Sequence, residues 1–374
     1  MGVLHELERL GQSIWFDNIS RSMLTSGELR RMVDEGLLGV TSNPSIFDKA
    51  ISGSSDYDDQ IRRLVAAWPG IGVEEIIREL MAEDIRRAAD ELRPVYDRTG
   101  GRDGYVSVEV SPSKARDARA TVEEARALWA MIDRPNLMVK IPATKEGLPA
   151  IEQAIADGVN INVTLIFSLE RYREVAQAYI RGLERRASAG LPLASVASVA
   201  SVFVSRIDTL VDTLLDRRAA GDPSLAPRAA PLKGQAAVAN TKLIYQAFKE
   251  TFSASGFEAL HALGAQRQRP LWGSTSTKNP SYDPLLYVAT IVGPGTVNTV
   301  PPNTYAEILK SLKPALTVER DLPGARRILA SVEEMGISVD AVMRQLEDEG
   351  VSAFEKSFDG LLLYIEQKRK AFTR

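Results

Sequence analysis

The feature that most constrains this chain is a recurrence. Short apolar runs of strand length alternate with longer amphipathic segments from the start of the sequence to about residue 290. That alternation belongs to a parallel sheet whose strands are joined by crossover helices. Eight runs read as strands: Ser13–Asp17, Leu38–Thr41, Tyr105–Val110, Leu137–Ile141, Val159–Leu165, Val199–Val204, Pro270–Ser274 and Leu285–Thr290. Helix start signals fall between them. Thr25 with Glu28 and Thr121 with Glu124 fit capping boxes, and Ser168 precedes a helically periodic run through Tyr172, Val175 and Tyr179. Eight strand–helix units predict an α/β fold, specifically a (β/α)8 TIM barrel.

With 374 residues, 44% of them hydrophobic, the chain can build one oversized α/β domain or two ordinary ones. The strand count favours a single barrel domain over residues 1–374, with a helical insert at about 48–103, a loop and helix insert at about 217–262, and a C-terminal helical cap at about 304–374. Composition removes several kinds of chemistry. The net charge of −3 comes from 46 basic and 49 acidic residues mixed along the sequence, with no basic stretch carrying aromatics, so nucleic acid is not an expected partner. There is no cysteine, which excludes disulfides, thiolate metal sites and cysteine nucleophiles. The two histidines, His5 and His261, are too few and too badly placed for a Ser-His-Asp triad or a histidine zinc site. Acid–base work falls to carboxylates and lysine. No apolar stretch reaches the roughly 18 residues of a membrane span, and a soluble, cytoplasmic protein is expected.

In a barrel of this kind, reactive groups sit at the C-terminal ends of the strands, and strand parity predicts which side chains point inward. In Leu137–Pro142 the apolar residues Leu137, Val139 and Ile141 share one face and leave Lys140 on the other, just before Pro142 and a new helix. A lysine drawn into a low-dielectric interior loses basicity, and its free amine can condense with a carbonyl. The same parity isolates Ser107 and Glu109 from the valines of the third strand, groups Asn160, Asn162 and Thr164 on the fifth, and sets Ser201 beside Phe203 on the sixth. Asp17 ends the first strand and Asn43 ends the second. Each residue also has a plain structural role open to it. Asp17 and Asn43 could cap helices, Glu109 and Lys140 could form an inert ion pair, and Phe203 could fill core. Lysine, carboxylates and amides at the ends of five strands nevertheless fit one interior site. Arg206, opening the helix after the sixth strand, and the Gly273–Lys278 loop, with Ser274 and Lys278, supply cations and hydroxyls where barrels often hold phosphate.

Three segments, in this order, carry a resemblance to the transaldolases, Schiff-base enzymes of the pentose phosphate pathway: Gly39–Phe47 with its Thr-Ser-Asn-Pro-Ser stretch, Val139–Thr144 around Lys140, and Gly158–Ser168. The resemblance spans the chain from the first strand to the eighth. It implies that Lys140 forms an imine with a ketose C2 carbonyl and that Glu109 moves protons through a water held near Thr164. Asp17 would take the C4 hydroxyl proton, Asn43 and Asn162 would orient donor hydroxyls and the enamine, Ser201 would support them, and Arg206 would hold phosphate. It implies sugar-phosphate partners, no metal or organic cofactor, and a monomer or homodimer. Two departures stand out: Val202 follows Ser201 where the family often has proline, and the second phosphate-binding position, often arginine, is matched only by shifting to Lys278. Two other readings compete: an aldolase that releases free dihydroxyacetone, and a silent sugar-phosphate-binding barrel. The second predicts loss of Lys140, Glu109 or Asp17, and all three are present.

Overall fold

The computed structural model describes residues 2–253 and 255–373; Met1, Ala254 and Arg374, which the expected domain span includes, lie outside them. Eight parallel strands close into a barrel in sequence order. They are β1 (Gln12–Phe16), β2 (Gly39–Val40), β3 (Tyr105–Glu109), β4 (Leu137–Pro142), β5 (Ile161–Ile166), β6 (Ser198–Phe203), β7 (Arg269–Gly273) and β8 (Thr296–Val300). Seven coincide with expected strands to within two residues at either end. The barrel's N-terminal end is fastened by Asp103, which is fully buried and accepts hydrogen bonds from Ser13 Oγ at 2.9 Å and Trp15 Nε1 at 3.1 Å while pairing with Arg269 at 2.9 Å.

The eighth strand is a correction. Leu285–Thr290 was expected to be extended, but Leu286–Thr290 is a helix, and the barrel closes through Thr296–Val300, which pairs with β1 from Gln12↔Thr296 to Phe16↔Val300. A short apolar run fits a buried helix turn as well as a strand, and periodicity alone cannot separate them. The true strand is half polar because its buried polar groups find partners: Thr296 accepts from Gln12, Asn298 accepts from Thr275, and Thr299 meets Thr41 at the cavity. Two capping boxes are also corrected. Thr25 ends the helix Arg21–Thr25, which Ser20 caps, and the next helix starts after Gly27. Asp117, not Thr121, caps Ala118–Ile132; Thr121 Oγ1 donates to the Lys114 carbonyl and Glu124 accepts from the Ser111 amide. Ser168 does cap Leu169–Ser188, accepting from the Arg171 amide at 3.0 Å.

Between β2 and β3 lie three helices, Pro44–Ser52, Asp58–Ala67 and Val73–Arg98, and after β8 come Pro302–Ser311, Leu322–Glu334 and Val339–Phe372. The last, of 34 residues and about 51 Å, runs over the barrel mouth. It is tied to the segments that follow β2, β3 and β5 by Ser357–Ser45 at 2.7 Å, Asp348–Arg116 at 2.7 Å and Glu347–Arg171 at 3.3 Å. Beneath it, β5 bulges: pairing with β6 shifts between Val163 and Ile166, and Leu165 adopts a left-handed backbone with φ of 60°. Gly350 of the long helix rests on the Leu165 side chain so closely that a Cβ there would stand 2.9 Å from Leu165 Cδ2.

Candidate active site

Strand register builds the centre of the site. Glu109 of β3 lies opposite Lys140 of β4, which lies opposite Asn162 of β5. Laterally paired residues of parallel strands point to the same side of the sheet, so these three converge inside the barrel. Lys140 Nζ donates to the Ser42 carbonyl at 2.9 Å and stands 3.1 Å from Glu109 Oε2. The pair is close in charge but misaligned for a hydrogen bond, and neither Glu109 oxygen has a directed donor among the described residues. Burial pushes the Glu109 carboxyl above its ordinary value despite the nearby ammonium, with Asp17 adding to the rise. Thr164 Oγ1 is likewise buried and without a partner. A polar group buried in this way costs stability unless something polar meets it.

Asp17 sits one residue past β1. Its backbone N–H donates to the Val300 carbonyl, and its Oδ1 accepts from Thr41 Oγ1 at 2.7 Å. With that proton committed, Thr41 accepts from Thr299, 2.6 Å away on β8. Burial raises the Asp17 carboxyl above its ordinary value, and Lys140 and the Thr41 hydroxyl oppose the rise. Asn43 caps the helix Pro44–Ser52 through Oδ1, accepting from the Ile46 amide at 3.0 Å, while it also borders the cavity. At the cavity wall, Ser201 Oγ donates to Asn162 Oδ1 at 2.6 Å, and behind it Asn162 Nδ2 donates to Ser107 Oγ at 3.0 Å, which fixes the amide's orientation.

A cavity of about 210 Å³ opens above these groups. Asp17, Lys140, Thr164 and Ser201 border it on the inner side; Phe203, Arg206, Ser274 and Lys278 border it toward β6 and β7. The Arg206 guanidinium lies 5.4 Å from the Phe203 ring centre, and burial lowers its pKa with only Glu349 opposing. Burial also lowers the Lys278 ammonium, with Arg206 and Lys49 repelling it further. Lys278 Nζ donates to Ser276 Oγ at 2.7 Å, and neither it nor Arg206 forms a salt bridge among the described residues. Two desolvated, mutually repelling cations side by side favour an anion between them.

The expected residues therefore meet at one site, with differences of detail. Glu109 and Asn162 lie behind the cavity surface, and Glu109 instead borders a second, largely apolar pocket of about 30 Å³, room for a water or two. Ser274 has a left-handed backbone and its hydroxyl lies 3.0 Å from Ser205, so Ser276 is the hydroxyl that meets Lys278. Sequence reading missed Thr41, Thr299, Ser276 and Phe354, all bordering the cavity. Thr41 shares a strand end with Asn43 and was within reach of the parity argument; Phe354 comes from the long helix over the mouth, and nothing local signals that placement.

The fold and this constellation define a (β/α)8 barrel with a buried lysine–carboxylate centre and a cationic end at its C-terminal mouth. Among known proteins, residues 14–365 match the family model described as transaldolase/fructose-6-phosphate aldolase. The chain belongs to that family. It is 49% identical to transaldolase 1 of Streptomyces avermitilis over 96% of this chain and 94% of that protein. It is 48% identical to the transaldolase of Thermobifida fusca over 99% of each, and 44% identical to that of Trichodesmium erythraeum over 99% and 98%.

Proposed function

We propose that this chain is a transaldolase of the non-oxidative pentose phosphate pathway. It moves a dihydroxyacetone unit from sedoheptulose 7-phosphate or fructose 6-phosphate to glyceraldehyde 3-phosphate or erythrose 4-phosphate. The relatives carry the name transaldolase, which favours transfer over release of free dihydroxyacetone. The observation that carries the mechanism is Lys140, buried at the cavity with Glu109 3.1 Å from its amine.

The Lys140 amine, as its free base, attacks the ketose C2 carbonyl to give a carbinolamine. Glu109, raised by burial and so able to hold a proton, supplies it to the departing hydroxyl through a water near Thr164, and an iminium forms. Asp17 then takes the C4 hydroxyl proton. The C3–C4 bond breaks, its electron pair passes into the iminium as an enamine, and the aldose phosphate leaves. The enamine attacks the acceptor aldehyde, Asp17 returns the proton to the new alkoxide, and water adds to the iminium to free Lys140 and the product ketose. Asn43 and Asn162 orient donor hydroxyls and the enamine, Ser201 holds Asn162 in place, Phe203 flanks the substrate, and Arg206, Lys278 and the hydroxyls of Ser274 and Ser276 receive phosphate.

We read the chain as one barrel domain that acts in the cytoplasm as a monomer or homodimer. No helix among the described residues is long and apolar enough to cross a membrane. The test is direct: incubate with fructose 6-phosphate and erythrose 4-phosphate, assay glyceraldehyde 3-phosphate and sedoheptulose 7-phosphate, then reduce with borohydride and map the adduct. Transfer with an adduct on Lys140 is expected; an active protein without that adduct refutes the mechanism.

A further inference from the structure

Away from the reacting groups, two acids lie one turn apart on the helix Ser205–Gly221, whose first turn carries Arg206. Asp208 and Asp212 are 1% and 8% exposed. Asp208 Oδ1 accepts from the Ala237 amide at 2.8 Å and Oδ2 from the Tyr287 hydroxyl at 3.0 Å. Asp212 Oδ1 accepts from the Gly234 amide at 3.0 Å and Oδ2 from the Tyr282 hydroxyl at 2.6 Å. Both tyrosines belong to the segment between β7 and β8, the same segment that holds Ser276 and Lys278. Gly234 has φ of 71°, and a Cβ on it would stand 2.9 Å from the Tyr282 ring, so glycine is what lets the ring lie against this backbone.

None of these four side chains borders the cavity, yet they join the two elements that present its cations. The helix brings Arg206; the segment brings Lys278, four residues before Tyr282. The two cations repel each other, and the loop bearing Lys278 would relieve that repulsion by moving out. Phenol hydroxyls donating to buried carboxyl groups are directional, and charge-assisted where the acid is ionised, well suited to resist such a movement.

We propose that Asp212–Tyr282 and Asp208–Tyr287 form a latch that sets the separation of Arg206 and Lys278, and so makes this segment selective for the phosphate ester of its sugar substrates. The four are positioning residues. The proposal rests on the phosphate role given above to Arg206 and Lys278, and it adds a determinant on the far side of the loop from the substrate.

Tyr282→Phe removes one oxygen and keeps the ring. The latch predicts that KM for erythrose 4-phosphate rises about tenfold, the loss of roughly one charge-assisted hydrogen bond, while kcat and the KM for unphosphorylated erythrose stay within about twofold. In a Lys278→Ala background, Tyr282→Phe should add nothing further, because the latch acts through Lys278. Equal effects on the phosphorylated and unphosphorylated acceptor, or full additivity with Lys278→Ala, would overturn the proposal. Tyr287→Phe, with the same expected pattern, serves if Tyr282→Phe does not fold. Calorimetric binding of inorganic phosphate reads the latch without catalysis: weaker binding by Tyr282→Phe supports it even if the wild type proves to transfer nothing, and equal binding by the two proteins refutes it.

Discussion

Asp208 gives a prediction whose size follows from its surroundings. Burial, with the neighbouring Asp212 adding to it, raises this carboxyl from 3.8 to about 7, although the Ala237 amide and the Tyr287 hydroxyl pull the other way. The folded protein thus holds this proton more tightly than the unfolded chain does. The contribution of Asp208 to stability is most favourable in acid, declines as pH rises from about 4 to about 7, and stays at its full cost above that range. At about 1.4 kcal/mol for each pH unit between the two values, the cost at about pH 8 is on the order of 4 kcal/mol, and roughly 2 to 3 kcal/mol of it develops between about pH 5 and pH 8. Asp208→Asn removes the titration while its Oδ1 still accepts from Ala237 and its amide group faces the Tyr287 hydroxyl, which can accept. Urea unfolding of both proteins at the two pH values isolates the effect, because every other titrating group is common to them. The variant's stability relative to wild type should rise by roughly 2 to 3 kcal/mol from about pH 5 to pH 8. A difference that does not change with pH would mean that Asp208 ionises at no cost in its buried place, and the reasoning would fail.

Three further outcomes follow from the site. Glu109→Gln should lower kcat by about 10²–10⁴-fold, the range for loss of an acid–base group, and slow borohydride trapping on Lys140; single-turnover trapping at the wild-type rate would remove Glu109 from the dehydration step. Thr41→Val deletes the hydroxyl that lowers the Asp17 pKa, so Asp17 is protonated at higher pH and the acid limb of kcat/KM moves upward; an unmoved limb would show that Asp17 is not the base. Gly350→Val presses side-chain atoms against Leu165, where even a Cβ stands 2.9 Å from Cδ2, and should cost about 1–3 kcal/mol in thermal unfolding with a raised KM, since Phe354 is one turn further along the same helix; an unchanged melting temperature counts against close seating of the helix.

What could be read from the sequence, and what could not, divides along a physical line. Lys140, Glu109 and Asn162 were legible because their inward direction is set by the pleat of their own strands, a local period of two that neighbouring mistakes cannot disturb. Ends were less legible because they are contests between nearby groups: Asp117 and Thr121 both offer an oxygen near the same helix start, and it is Asp117 that accepts from the Ala120 amide while the Thr121 hydroxyl turns back to the Lys114 carbonyl. The eighth strand failed for a related reason. Leu285–Thr290 is apolar because it is largely buried as a helix within the segment after β7, with Tyr287 held by Asp208, whereas Thr296–Val300 is half polar because its buried polar groups have partners on both faces, Thr296 with Gln12, Asn298 with Thr275 and Thr299 with Thr41. Hydrophobicity measured along the chain reports burial, not the element that is buried. The misplaced strand cost Thr299 but left the other site residues intact, since each inward residue is specified by its own strand and the closure of β8 on β1 adds register without changing which face they use. Phe354, Tyr282 and Tyr287 were beyond reach for the opposite reason: their roles exist only where a helix or loop crosses another element, and no periodicity within their own segments encodes that crossing.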